Sequence, residues 1–386
     1  MNYPRVWISL FLSISTGALH PIHSAPIRVG VIRWGAWTSN FLQSEYLAAT
    51  NWHGRLPYFA IRTNGKVIID ECQQGVMDQD LLYASSAGID YWAVNFRFWP
   101  RDLRRDPTWK WYTPDLPALH RRSVYRNRVK YCLFLQDHLL GPNRGADPNW
   151  DYRAEWRKIV DEIVAMFRED IYQKVMENRP LLYVLGAEKF GYFISPAEMK
   201  DGFELLSAQC EAIGLGKPYV TGMLWLQGGE RSRFKNEAGF DAVSGYGAPI
   251  HPEIRLNPGQ KIFNNFPYSK LAEANAAFWD YFGRAGFQII PPLNEGWDSR
   301  PAQVKKFPLY DRPEEGPWFA RGTDEELSEN VRAACQWVIE HPESCETNSI
   351  LIYNWSEYVE GGFLCPTRDA GSSRLDAVKR ALARFK

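Results

Sequence analysis

The chain has 386 residues, enough for one large α/β barrel or two domains of average size. Lys+Arg and Asp+Glu are both 45, so it lacks the basic excess that tracking a nucleic-acid backbone requires. A hydrophobic fraction of 45% argues against disorder, and 15% aromatics, including 16 Trp, supply core volume as well as rings able to stack on sugars.

Residues 1–25 read as an export signal. Arg5 precedes a short apolar stretch over 6–12 with Ile14, and Ser24-Ala25-Pro26 offers a small-residue cleavage point, with His23 unusual at the −3 position. This predicts a single mature domain over 26–386, exported to the periplasm or beyond. No later segment has 18 uninterrupted apolar residues, so no membrane span is expected. An oxidising compartment would permit disulfides among the six cysteines. Cys335 and Cys345 form the best local pair across the turn at Pro342, Cys132 reads as a buried thiol, and Cys72, Cys210 and Cys365 stay unassigned. Without a two-Cys knuckle or a His-x-x-x-His pair, neither a metal nor a cofactor is expected.

Eight β-branched or apolar runs follow, over 27–34, 90–95, 129–135, 180–185, 219–225, 240–246, 288–293 and 350–354. Helical patterns over 74–87, 152–176, 196–213, 268–282 and 325–340 lie between them. In the second, Trp156, Ile159, Val160, Ile163, Val164 and Phe167 recur at spacings of three and four. The alternation predicts an α/β fold, a single-domain (β/α)8 TIM barrel. Two long stretches, 98–117 and 294–322, would overhang the C-terminal face as walls or lids.

The last run delivers Glu357 and Glu360 to that face, where Gly361-Gly362 breaks the chain. An i,i+3 spacing suggests one helical turn carrying both. Two close carboxyls repel when ionised, so one is expected to hold its proton while the other acts as a base. Such a pair is the minimum equipment for cutting a glycosidic bond. Glu188 after the fourth run and Glu295 after the seventh form a competing couple, suited to a conventional double displacement. Trp34, Asn95, Arg97, Gln136, Asp137, His138, Trp225, Tyr246, Trp297, Trp355 and Tyr358 complete a prospective cleft for a glycan. Their amides can exchange hydrogen bonds with hydroxyls, and their rings can stack on a sugar face. Asp298 and Arg300 suit a loop-locking ion pair better than catalysis. A carbohydrate-binding protein would use the same cleft, with the carboxylates serving only as acceptors. Glycosyl transfer fits poorly with export, since nucleotide-sugar donors are cytoplasmic. Linkage, endo or exo action and oligomeric state stay open.

The segment from Trp355 through Ser356, Glu357, Tyr358, Val359, Glu360 and Gly361 to Pro366 resembles the last-strand motif of glycoside hydrolase family 99 and the related WbsX-like proteins. Residues 79–92, 180–185 and 296–301 are similar as well. That resemblance implies a (β/α)8 barrel and retaining hydrolysis of α-mannosidic bonds through a 1,2-anhydro sugar. It also implies that Glu357 assists the sugar's 2-hydroxyl as base and that Glu360 protonates the leaving oxygen. Ser356 and Tyr358 stand where the family has Asn and Trp, which leaves the mannose specificity open.

Overall fold

The computed structural model describes residues 26–39, 42–96, 115–136, 152–185, 196–224, 238–247, 265–301 and 318–386. Nine parallel strands form the central sheet: β1 (Arg28–Arg33), β2 (Tyr91–Phe96), β3 (Lys130–Gln136), β4 (Arg179–Leu185), β5 (Tyr219–Leu224), β6 (Ala242–Gly245), β7 (Gln288–Ile289), β8 (Pro292–Asn294) and β9 (Ser349–Tyr353). Their order is β7-β6-β5-β4-β3-β2-β1-β9-β8, and the sheet curls. Gly30 pairs with Tyr91 on one side and Leu351 on the other, which sets the register of β1. The strands are apolar along most of their length because helices cover the outer face and side chains fill the inner one.

The seventh expected strand is observed as two pieces. Pro291 and Pro292 carry no N–H, so neither can donate to the ladder and the strand breaks between β7 and β8. The break leaves acceptors in use on both sides. Ile290 donates to the Val243 carbonyl at 3.0 Å, and the Pro291 carbonyl accepts from Leu351 at 2.9 Å. One chain segment therefore touches both ends of the curled sheet.

The helices are α1 (Gln74–Ser86), α2 (Leu116–Arg122), α3 (Tyr152–Phe167), α4 (Pro196–Ala212), α5 (Tyr268–Arg284), α6 (Asp324–Glu340) and α7 (Ser373–Leu382). α6 starts on a capping box, Thr323 accepting from the Glu326 N–H at 3.1 Å and Glu326 from the Thr323 N–H at 2.7 Å. α3 is shorter than its apolar pattern suggests. The chain turns after Phe167, and Met176 and Glu177 take positive φ, which no helix accommodates.

Strand alternation separates two faces. On the inner face the Tyr91 and Tyr183 hydroxyls meet at 2.8 Å, and Gly30 is required there, since a Cβ would lie 2.3 Å from the Tyr91 ring. On the outer face Trp92 meets His120 of α2 at 5.8 Å between ring centroids. All six cysteines are free thiols, so the expected Cys335–Cys345 bridge is absent. Cys335 lies five residues before the end of α6 on its core face.

Candidate active site

The inner face of β9 ends on Tyr353, whose ring is buried against Tyr246, with centroids 5.0 Å apart, and Trp297, at 5.7 Å. Its hydroxyl donates to Glu360 Oε2 in a short hydrogen bond. Burial, then the negative fields of Glu360 and Glu357, push the phenol well above its ordinary value, so it stays a donor. Both glutamates thus act on one phenol at the strand end.

The glutamates are not on a helical turn. Glu357 and Gly362 form an antiparallel bridge, exchanging N–H···O bonds of 2.9 and 3.1 Å around the turn at 358–361. Gly361 has φ of 75°, a backbone that glycine adopts without strain. Gly362 leaves room for Tyr353, because a Cβ would sit 2.5 Å from the ring. Glu357 is buried and Glu360 half-buried. Burial raises the Glu360 pKa above the usual carboxylate value, while the Tyr353 hydrogen bond opposes that shift.

The chain after β8 fixes this hairpin from outside. Asp298 donates its N–H to the Glu360 carbonyl at 2.6 Å, and Gly296 has no room for a Cβ against the Gly361 carbonyl. Arg55 bonds the carbonyls of Asp298, Tyr358 and Val359 at 2.8, 3.2 and 3.3 Å, and its other nitrogen reaches the Asp298 carboxylate. Arg300 grips the same carboxylate twice, each time at 2.8 Å. Asp298 and Arg300 therefore lock the loop, as their types suggested.

Glu295 also serves the backbone. It is 1% exposed, and its Oε1 accepts the Asn354 N–H at 2.8 Å. Burial holds its carboxyl well above the ordinary range, against the pull of that bond and of Arg374. A buried acid that anchors the β9 exit through the Asn354 N–H is poorly placed to attack a sugar. Its expected partner Glu188, with Arg97, Asp137, His138 and Trp225, lies outside the described residues.

Of the expected cleft residues, Trp34, Asn95, Gln136, Tyr246 and Trp297 reach the inner face or its rim. Trp34 is half-buried and packs on Tyr246 and Phe134 at 5.8 and 6.1 Å. Asn95 donates to Gln136 at 3.3 Å. Trp355 and Tyr358 do not line this space. Both are fully buried: Trp355 donates its indole N–H to Asp80 of α1 at 3.1 Å, and Tyr358 packs at a tilt against Trp37, with ring centroids 5.1 Å apart. An indole N–H removed from water needs an acceptor, and the one it bonds is on the outer side.

That acid belongs to a closed cluster behind β1. Arg33 contacts Asp80 at 2.8 Å and Glu71 at 3.7 Å, and lies 4.3 Å over Trp92. Tyr58 donates to Asp80 at 3.2 Å. One guanidinium balances one carboxylate. The second, Glu71, is pushed up to about 7 by burial despite Arg33.

Tyr353 was not singled out in the sequence because it reads as part of an apolar run. The alternation Leu351, Tyr353 would have placed it on the inner face beside the acids. Among the described residues no group of three or more His, Cys, Asp or Glu could hold a metal, and no helix is long and apolar enough to cross a membrane.

No family model matches the sequence. No curated protein matches it either. Among solved structures, the GH99 endo-alpha-mannosidase from Bacteroides thetaiotaomicron in complex with BIS-TRIS-propane is 12% identical, with a TM-score of 0.54 over 93% of this chain and 97% of that one. A structure described as a glycoside hydrolase-like protein is 13% identical, with a TM-score of 0.61 over 92% and 94% of the two chains. At such identities the likeness is one of fold. In fold, then, the chain is similar to the family 99 endo-alpha-mannosidase, the family that the segment around Glu357 and Glu360 resembles.

Proposed function

We propose that the protein is an exported glycoside hydrolase built on a distorted (β/α)8 barrel, with Glu357 and Glu360 as its catalytic pair. The observation that carries the reading is the bond of Glu360 to the Tyr353 hydroxyl at the end of the inner face, on the same hairpin as the buried Glu357 and with partly exposed Trp297 against the Tyr353 ring. The chain segment shared by the two ends of the sheet supports closure of the barrel. Carbohydrate-active hydrolysis also suits the fold likeness.

In this scheme Glu357 takes the proton of the sugar 2-hydroxyl as that oxygen attacks C1. The bond from C1 to the leaving oxygen breaks, and Glu360 gives that oxygen its proton. Water then opens the 1,2-anhydro sugar at C1, losing a proton to Glu360, while Glu357 returns one to O2. Two inversions leave the configuration retained. The raised Glu360 pKa suits the acid, which must hold a proton before the bond breaks.

Digestion of a glycan panel, with the first-formed anomer followed by NMR, tests this directly. Retention in the wild type and turnover lowered by about 10²-fold or more in Glu357→Gln and Glu360→Gln, both folded, are expected. Full activity in both variants, with loss in Glu188→Gln and Glu295→Gln, transfers catalysis to the other pair. Recovery of the mature chain outside the cytoplasm, beginning near Pro26, checks the export reading.

A further inference from the structure

Glu357 and Glu360 share a hairpin but are supported from different sides. The Glu360 side is held from beyond β8, where the Asp298 N–H reaches the Glu360 carbonyl and Arg55 bonds the carbonyls of Tyr358 and Val359. The Glu357 side is held from beyond β1, by Trp37. Its indole N–H donates to the Ser356 carbonyl at 2.6 Å, and its ring packs at a tilt against Tyr358, with centroids 5.1 Å apart. One side chain therefore grips the residues immediately before and after Glu357. Trp37 is fully buried, so no water replaces that hydrogen bond when it is lost.

Trp37 is itself clamped at its backbone. Glu71 accepts the Trp37 N–H on Oε1 at 3.0 Å and donates its own N–H to the Trp37 carbonyl, also at 3.0 Å. The far end of the chain of contacts is equally firm. The Ser356 carbonyl and the Glu357 N–H belong to one planar peptide unit, and that N–H donates to the Gly362 carbonyl at 2.9 Å. The plane from which Glu357 projects is thus pinned on its oxygen by Trp37 and on its nitrogen by Gly362. A general base must stay within hydrogen-bond reach of the proton it takes, and misplacing it costs rate rather than binding.

We propose that Trp37, clamped by Glu71, is the positioning residue of Glu357, fixing the direction from which that carboxylate reaches the proton it removes. The role of Glu357 as base rests on the glycosidase reading; the grip on its backbone rests on these contacts alone.

The test uses the full-length chain and the glycan that the wild type cleaves fastest. Trp37→Phe keeps a ring against Tyr358 and loses the indole N–H. It is expected to lower kcat about tenfold with KM within about twofold of the wild type. Hydrogen–deuterium exchange read by mass spectrometry should quicken about tenfold in the peptide over 355–363. Trp156→Phe is the control. It also takes a buried indole N–H from a carbonyl, that of Gly202 at 3.0 Å, but between α3 and α4, which precede and follow β4. It should leave kcat and the exchange of that peptide within about twofold of the wild type. Glu71→Ala releases Trp37 from its other end and should lower kcat in the same way, a second route if Trp37→Phe does not fold. Glu71→Gln keeps an acceptor for the Trp37 N–H and should retain kcat within about twofold. Wild-type kcat in Trp37→Phe, or an equal fall in Trp156→Phe, overturns the proposal. If the wild type cleaves no glycan, the glycosidase reading fails and the exchange measurement decides the grip by itself. Faster exchange in Trp37→Phe then upholds it, and an unchanged rate overturns it.

Discussion

The two sides of the last strand use the same kinds of residue for opposite ends. On the inner side Tyr353 bonds Glu360, on the hairpin that also carries Glu357, beside half-buried indoles, and the acid with the raised pKa is still partly accessible. On the outer side Arg33, Asp80 and Glu71 are sealed under Trp92, Trp355 and Tyr358, each carboxylate with a donor in contact. Acids among aromatics therefore do not by themselves mark a site. What separates the sides is access for a ligand, since Arg33, Asp80 and Glu71 are buried and Glu360 is not.

Substitutions should part the two sides by what they change. Glu360→Gln is expected to lower kcat by about 10²–10⁴-fold with the melting temperature unchanged. Asp80→Ala should instead destabilise by about 3–5 kcal/mol, read as a lower denaturant midpoint, because it leaves Arg33 buried without its closest carboxylate. A kcat loss as large as that of Glu360→Gln at unchanged stability would erase the distinction.

Glu71 adds a pH dependence of known sign. It binds its proton more tightly in the fold than in the unfolded chain, so its contribution is complete below the ordinary value of 4.5 and lost as pH rises through about 7. Stability should fall by on the order of 2–3 kcal/mol across that window, and Glu71→Gln should flatten the slope. Denaturant titrations at several pH values would show this, and an unchanged slope in the variant would place the titration elsewhere.

Tyr353→Phe removes a donor to the Glu360 carboxylate, so the Glu360 pKa should rise further and the alkaline limb of kcat/KM should move to higher pH. A limb that stays in place would reduce Tyr353 to packing. The smallest effect is expected from reductant. With all six cysteines as thiols, dithiothreitol should leave the melting temperature where it is, and a drop would point to a bridge.

Much of this architecture was legible. Seven of the strand runs and the five expected helices occur close to where periodicity put them, and the two prolines at 291 and 292 explain the strand that split. α2 and α7 were missed. Their apolar faces are short, and α2 starts at the end of the stretch over 98–117 that looked irregular. In the site, Trp34, Asn95, Gln136, Tyr246 and Trp297 reached the expected side because each continues a strand's alternation or closely follows its end. Trp355 and Tyr358 did not, since the ladder has ended before them and the nearest acceptor or packing partner decides.

The order of strands and helices and the arrival of two glutamates at a strand end were determined by the sequence alone, because periodicity, proline and glycine act over a few residues. Only the tertiary structure decided that Tyr353 faces the acids, that Glu295 is committed to a backbone N–H, and that Trp355 belongs to Asp80. These contacts join residues that are distant along the chain or lie beyond the last regular hydrogen bond. There orientation follows from which buried donor finds an acceptor, a choice no local pattern encodes.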